Sequence, residues 1–167
     1  DALLGKAFVL SWQKDYSRAE TLFRRVIEIS PEYWDAQLGL ARMLVWKGEP
    51  DKAVPILDHL AKQKSSDVSL LIALARAQKE SGQTKEAVKT FRGAIALEPD
   101  RADLHAELGQ VLAQTQKLDD AITELEKAIA VQSSNVDDYI TLGRVYGYKN
   151  RLDDSKRLYT EALKKNP

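Results

Sequence analysis

The sequence predicts an all-α chain: five copies of a 34-residue helix–turn–helix unit stacked as a solenoid, with no strands. Three observations predict it. Pro31, Pro99 and Pro167 are spaced by 68 residues, twice 34, with Ser65 and Ser133 halfway between them. Ala19, Ala53, Ala87 and Ala121 stand 34 apart, and Ser155 completes the series. Four residues past each come Phe23, Leu57, Phe91, Leu125 and Tyr159, and three further on Val26, Leu60, Ala94, Ala128 and Ala162. A register kept through five units without an insertion marks a repeat array, in which each hairpin buries its apolar face only against its neighbours.

Taken in order, the units run 1–33, 34–67, 68–101, 102–135 and 136–167. In each, a small residue recurs in the first helix: Ala7, Ala41, Ala75, Gly109 and Gly143. In the second and third units Gly48 and Gly82 stand where a left-handed C′ residue ends a helix. Pro50 is expected at the inter-helix turn, and Pro55 within or just after the first helical turn, where a missing N–H costs little. In the fourth unit Leu104, Leu108, Val111 and Leu112 follow one helical face, and Ala121, Ile122, Leu125, Ala128 and Ile129 form a second stripe. Asp100 and Asn135 are expected to cap the first helices of the fourth and fifth units. Asp119 and Asp153 open second helices, at the positive end of the dipole.

Composition narrows the function. Apolar residues make up 44% of the chain, enough for a continuous core, and charged residues 30%, which suits a surface-rich helical protein. Lys plus Arg equals Asp plus Glu at 25 each, a balance that argues against a nucleic-acid partner. Without cysteine there is no disulfide and no thiolate metal site. No apolar run reaches the roughly 18 residues of a membrane span. His59 and His105 lie in different units and form no two-histidine metal motif, so no metal or cofactor is expected; His105 reads as a packing residue. The pairs Asp119-Asp120, Asp137-Asp138 and Asp153-Asp154 resemble acid–base pairs, but all begin helices, where capping and the dipole account for them. The eight glycines make no phosphate-cradling loop. The chain is expected not to be an enzyme. Charge is banded: residues 102–135 carry two basic and six acidic side chains, a local −4.

The segments GQTKEAVKTFRGAIALEPD (82–100) and LHAELGQVLAQTQKLDDAITELEKAIA (104–130) resemble the tetratricopeptide repeat, through Gly82, Ala87, Phe91, Ala94 and Pro99 and through Leu108, Gly109, Leu112, Ala121, Leu125 and Ala128. The resemblance covers the whole chain and implies a right-handed superhelical solenoid that scaffolds protein partners. There are departures. The aromatic usual near the start of each first helix appears only as Tyr139, its place being taken elsewhere by Leu3, Gln37, Leu71 and His105; Lys6 stands where Leu is usual. A closing helix is missing, so the native protein is expected to continue past Pro167, or that end to pack on another copy. AFVLSWQKDYSRA (7–19) and GLARMLVWKGEPDKA (39–53) also resemble repeat domains of bacterial envelope proteins, which implies a periplasmic adaptor of an outer-membrane or exopolysaccharide export assembly.

In tetratricopeptide arrays the first helices line the binding groove. Carried over by position, the resemblance places Trp12, Leu38, Arg42, Trp46, Ile72, Arg76, Gln110, Arg144 and Tyr148 on that wall. Large aromatics and arginine dominate binding hot spots, and arginine clamps carboxylates, so the implied occupant is a peptide or helix bearing Asp or Glu. The carboxylate clamp of chaperone-binding relatives needs Lys and Asn at positions that are apolar, or never Asn, here. Aromatic platforms at Trp12, Trp46 and Tyr148 would equally suit a glycan.

Overall fold

A computed structural model describes residues 2–132 and 134–165; the landmarks expected at Asp1, Ser133 and Pro167 lie outside the described residues. Ten α-helices and no strand occur among them: α1 (Ala2–Trp12), α2 (Tyr16–Ile29), α3 (Trp34–Trp46), α4 (Pro50–Gln63), α5 (Val68–Glu80), α6 (Thr84–Leu97), α7 (Ala102–Gln114), α8 (Leu118–Val131), α9 (Val136–Tyr148) and α10 (Leu152–Lys165). They form two compact units, 1–83 with α1–α5 and 84–167 with α6–α10.

The helix ends explain the period. The short turn after α1, α3, α5, α7 and α9 contains one left-handed residue: Lys14, Gly48, Gly82, Gln116 and Asn150, each 34 after the last. Every one closes a Schellman motif. Asp15 N–H donates to the Leu10 carbonyl at 2.9 Å, and Glu49, Gln83, Lys117 and Arg151 repeat that bond to Leu44, Gln78, Leu112 and Tyr146. Only two of the five are glycine, so three L side chains carry the steric cost of positive φ. Lys14→Gly, Gln116→Gly and Asn150→Gly are each expected to raise unfolding free energy by up to about 1 kcal/mol, least at Asn150 because Asn tolerates this region, and Gly48→Ala to lower it by about 1 kcal/mol. Urea unfolding followed by circular dichroism checks this, and a destabilised Lys14→Gly would count against it.

First-helix N-caps share the register as well: Tyr33, Asp67, Arg101 and Asn135. Asn135 accepts from the Asp137 N–H at 3.2 Å, as expected. Asp100 does not cap α7; it lies one residue outside the register, and Arg101 takes the place, forking onto Asp103 at 2.7 Å and Glu98 at 2.8 Å. Pro50 is the first residue of α4 rather than part of the turn, with Glu49 as N-cap, because its fixed φ is already helical. Pro55 sits a turn further in, where an N–H would have bonded to Asp51; both residues are exposed.

In the first unit α1 packs on α2, α2 on α3, α3 on α4 and α4 on α5. The core is built from Ala19, Phe23, Leu40, Ala41, Leu44, Ala53, Leu57 and Leu60. Phe8 meets Phe23 edge-to-face at 5.2 Å, and Gly39 lies so close that an added Cβ would stand 2.5 Å from Phe23 Cε1. Trp34 is half-buried under the Lys64 ammonium, 3.8 Å above its ring, and is a packing residue.

In the second unit α6 packs on α7, α7 on α8, α8 on α9 and α9 on α10. Leu104, Leu108, Val111, Leu112, Ala121, Leu125, Ala128, Leu142 and Val145 are buried there. His105 is buried too, with Nδ1 2.6 Å from Glu124 Oε2 and Nε2 2.8 Å from the Pro99 carbonyl. Burial pushes the Glu124 carboxyl up, but hydrogen bonds from His105 and Lys127 outweigh it and hold it below the usual carboxylate range. A depressed carboxyl stabilises the fold above its unfolded pKa, about 4.3, and loses that contribution as pH falls through the lower folded value. Glu124→Gln is therefore expected to flatten the acid limb of the urea midpoint as pH falls below about 5; an unchanged limb would exclude this linkage.

Candidate functional site

Within α3, Leu38, Arg42 and Trp46 follow an i, i+4, i+8 spacing and share one face. Trp46 is 53% exposed and Arg42 is exposed, while Leu38 is half-buried against the core. On α1, Trp12 is 69% exposed and stacks on Phe8 with ring centroids 6.3 Å apart. Arg76 is exposed on α5. Ile72 is not on an open wall: at 7% exposed it is packed into the seam between helices, as Leu4 is at the same repeat position.

The second unit brings its three expected residues together. Gln110, Arg144 and Tyr148 line one cavity of about 620 Å³ between α7 and α9. Gln114, Asp137 and Ile140 complete the positions that the repeat register turns toward it. Gln116 and Thr141 were not legible as lining residues. Gln116 reaches the cavity because its left-handed backbone closes α7 there, and the 34-residue spacing from Gly82 is the signal that marks it. The lining is dominated by amides and hydroxyls, with one cation, Arg144, and one anion, Asp137, so it suits a chain that both donates and accepts hydrogen bonds.

Charge separates two of the three expected arginines, Arg42 and Arg144, from the rest. Arg18, Arg24, Arg25, Arg92, Arg101, Arg151 and Arg157 are all engaged by carboxylates on their own or adjacent helices. Arg42 and Arg144 have neither a hydrogen-bond nor an ion-pair partner among the described residues. Each has an exposed aromatic one turn on: Trp46 after Arg42, and Tyr148, 63% exposed, after Arg144. Among the described residues no group of three or more His, Asp or Glu could hold a metal ion, and no helix is long and apolar enough to cross a membrane.

Two-helix units on a fixed register define a helical-repeat protein. Two tetratricopeptide-repeat models match, over residues 13–78 and 72–136, and the chain belongs to that family, whose members scaffold protein interactions. No curated protein matches the chain in sequence. Its fold is shared with MamA (23% identity, 93% of this chain and 91% of that one, TM-score 0.86). It is shared also with MamA 41-end from Desulfovibrio magneticus RS-1 (14%, 98% and 93%, TM-score 0.91) and with YrrB, a TPR protein described as having an unusual peptide-binding site (19%, 99% and 85%, TM-score 0.82). The all-α tetratricopeptide solenoid expected from the sequence is the fold of these proteins.

Proposed function

We propose that the first helices of this scaffold dock a peptide or helix of a partner protein that carries carboxylates beside an apolar anchor. The observation that carries the reading is the repeated pair of an unpaired arginine and an open aromatic four residues on, Arg42 with Trp46 and Arg144 with Tyr148. Guanidinium groups without an internal partner keep their bidentate capacity for an incoming carboxylate. Rings already exposed offer apolar contact at little ordering cost. The peptide-binding site described for YrrB supports the peptide form of the occupant. The amide-rich cavity of the second unit supports it as well, since glutamine side chains pair with peptide N–H and C=O groups. No catalytic step is assigned to the chain.

A glycan-binding surface is the second reading, favoured by the open rings of Trp12 and Trp46. The setting proposed for either is an adaptor of a bacterial envelope export assembly, on the strength of the two tryptophan-bearing segments alone. Selection from a displayed peptide library, followed by tryptophan-fluorescence titration with the selected peptides and with polysaccharides, separates the readings. An acidic–apolar consensus that binds the chain is the expected result. Saturation by a polysaccharide, with no peptide enriched, would replace the first reading with the second.

A further inference from the structure

The repeat register also exposes a site on the opposite side of α3. Gln37 and Leu40 lie away from Leu38, Arg42 and Trp46 on the helical wheel. With Ile27 of α2 and Ile56 of α4 they enclose a cavity of about 410 Å³ whose walls are mostly apolar, its lining completed by the exposed Arg24, Glu28 and His59. The same place exists in the second unit, three repeats later, between α8, α9 and α10. There Ile129, Leu142 and Leu158 stand where Ile27, Leu40 and Ile56 stand here, and Tyr139 stands in place of Gln37. Tyr139 is buried, and the space left is about 200 Å³.

His105 fills the corresponding position of α7 and donates from Nε2 to the Pro99 carbonyl. Gln37 makes the same bond to the Pro31 carbonyl through its amide. It thus keeps the hydrogen bond of that position but supplies no ring. The deficit is specific: apolar walls equivalent to those around Tyr139, with Gln37 at the position where Tyr139 supplies the ring.

We propose that this cavity receives an aromatic side chain from a partner protein, inserted from outside into the space that Tyr139 fills from within in the fifth repeat. The apolar walls contribute desolvation, and the Arg24 guanidinium, whose edge is bound to Glu20, lines the cavity and keeps a face for an incoming ring. The site is separate from the arginine–aromatic face of the first helices, so it stands or falls independently of that face's occupant.

Indole is the probe. In methyl-labelled protein it is expected to shift Ile27, Leu40 and Ile56 with a Kd on the order of 1–10 mM, as its few atoms allow. Cyclohexanol is expected to bind at least about five-fold more weakly, having no π face for the guanidinium. Gln37→Tyr, which copies Tyr139, is expected to abolish these shifts. Ile56→Thr, which copies Thr90 at the equivalent position, is expected to weaken them at least about five-fold through lost apolar wall, and serves should the tyrosine variant misfold. Shifts confined to Leu38 on the Arg42–Trp46 face, equal binding of cyclohexanol, or shifts unchanged in Gln37→Tyr or Ile56→Thr would overturn the proposal.

Discussion

Leu125→Ala is expected to lower the unfolding free energy by about 3–5 kcal/mol, and Gly109→Ala, harmful alone, to become stabilising once Leu125 is gone. Leu125 is completely buried. An added Cβ at Gly109 would stand 2.6 Å from Leu125 Cγ, with the Ala121 carbonyl at 3.3 Å. Cγ is the branch point of the side chain, not its flexible end, so the clash cannot be relieved by turning a methyl. The helix gains about 1 kcal/mol from replacing glycine, but overpacking costs about 1–3 kcal/mol, so the single variant loses on balance. Truncating Leu125 removes the obstacle and leaves a cavity that the new methyl partly fills. A coupling of at least about 1 kcal/mol between the two changes is the expected double-mutant result. Tyr159, one repeat on at the position of Leu125, is 39% exposed, and Tyr159→Ala is expected to cost less than half as much. Urea titration with hydrogen exchange on α7 and α8 reads these values even where the array opens repeat by repeat. Strict additivity would mean that the close approach at Gly109 carries no strain.

The same close approach explains what could be read from sequence. Ala53, Ala87 and Ala121 are all without exposure, each at the tightest point of a hairpin; a constraint on size leaves a mark in residue type, and the 34-residue period was visible through it. Turn geometry leaves a weaker mark. Gly48 and Gly82 announced left-handed residues, whereas Lys14, Gln116 and Asn150 adopt the same conformation because the Schellman bonds of neighbouring residues hold them there. A backbone constraint that tertiary structure can impose on any residue is invisible in composition. The misplaced cap at Asp100 has the opposite origin: local propensity pointed to aspartate, but the hairpin register set the helix start one residue later. The candidate binding face was legible as residue types at family positions, but its burial was not, since Ile72 and Leu38 sink according to how closely their own neighbours approach. The cavity beside Gln37 was legible only as a missing aromatic. Its volume depends on three helices from two repeats, which no local pattern encodes.

Trp46→Ala is expected to weaken a selected acidic–apolar peptide by about 30-fold or more, and Arg42→Ala by about 10-fold, with salt weakening the parent chain more than Arg42→Ala. Truncating Trp46 removes an open ring from the surface without opening the core, because the residue is 53% exposed. Stability is therefore expected to change by no more than about 0.5 kcal/mol, which separates a binding defect from an unfolding one. Arg42 contributes differently. With no internal carboxylate to release, it gives its whole electrostatic gain to the complex, and that gain is screened by ions. The parent affinity should thus fall steeply with sodium chloride and the Arg42→Ala affinity less so, while Trp46→Ala keeps the parent's salt slope at lower affinity. Such a division assigns the charge to Arg42 and the apolar anchor to Trp46 in one experiment. Should both variants bind the peptide as the parent does, with the same salt slope, the face formed by Leu38, Arg42 and Trp46 is not where the partner sits. The unpaired guanidinium would then be a solvated surface charge, as most exposed charges on helices are.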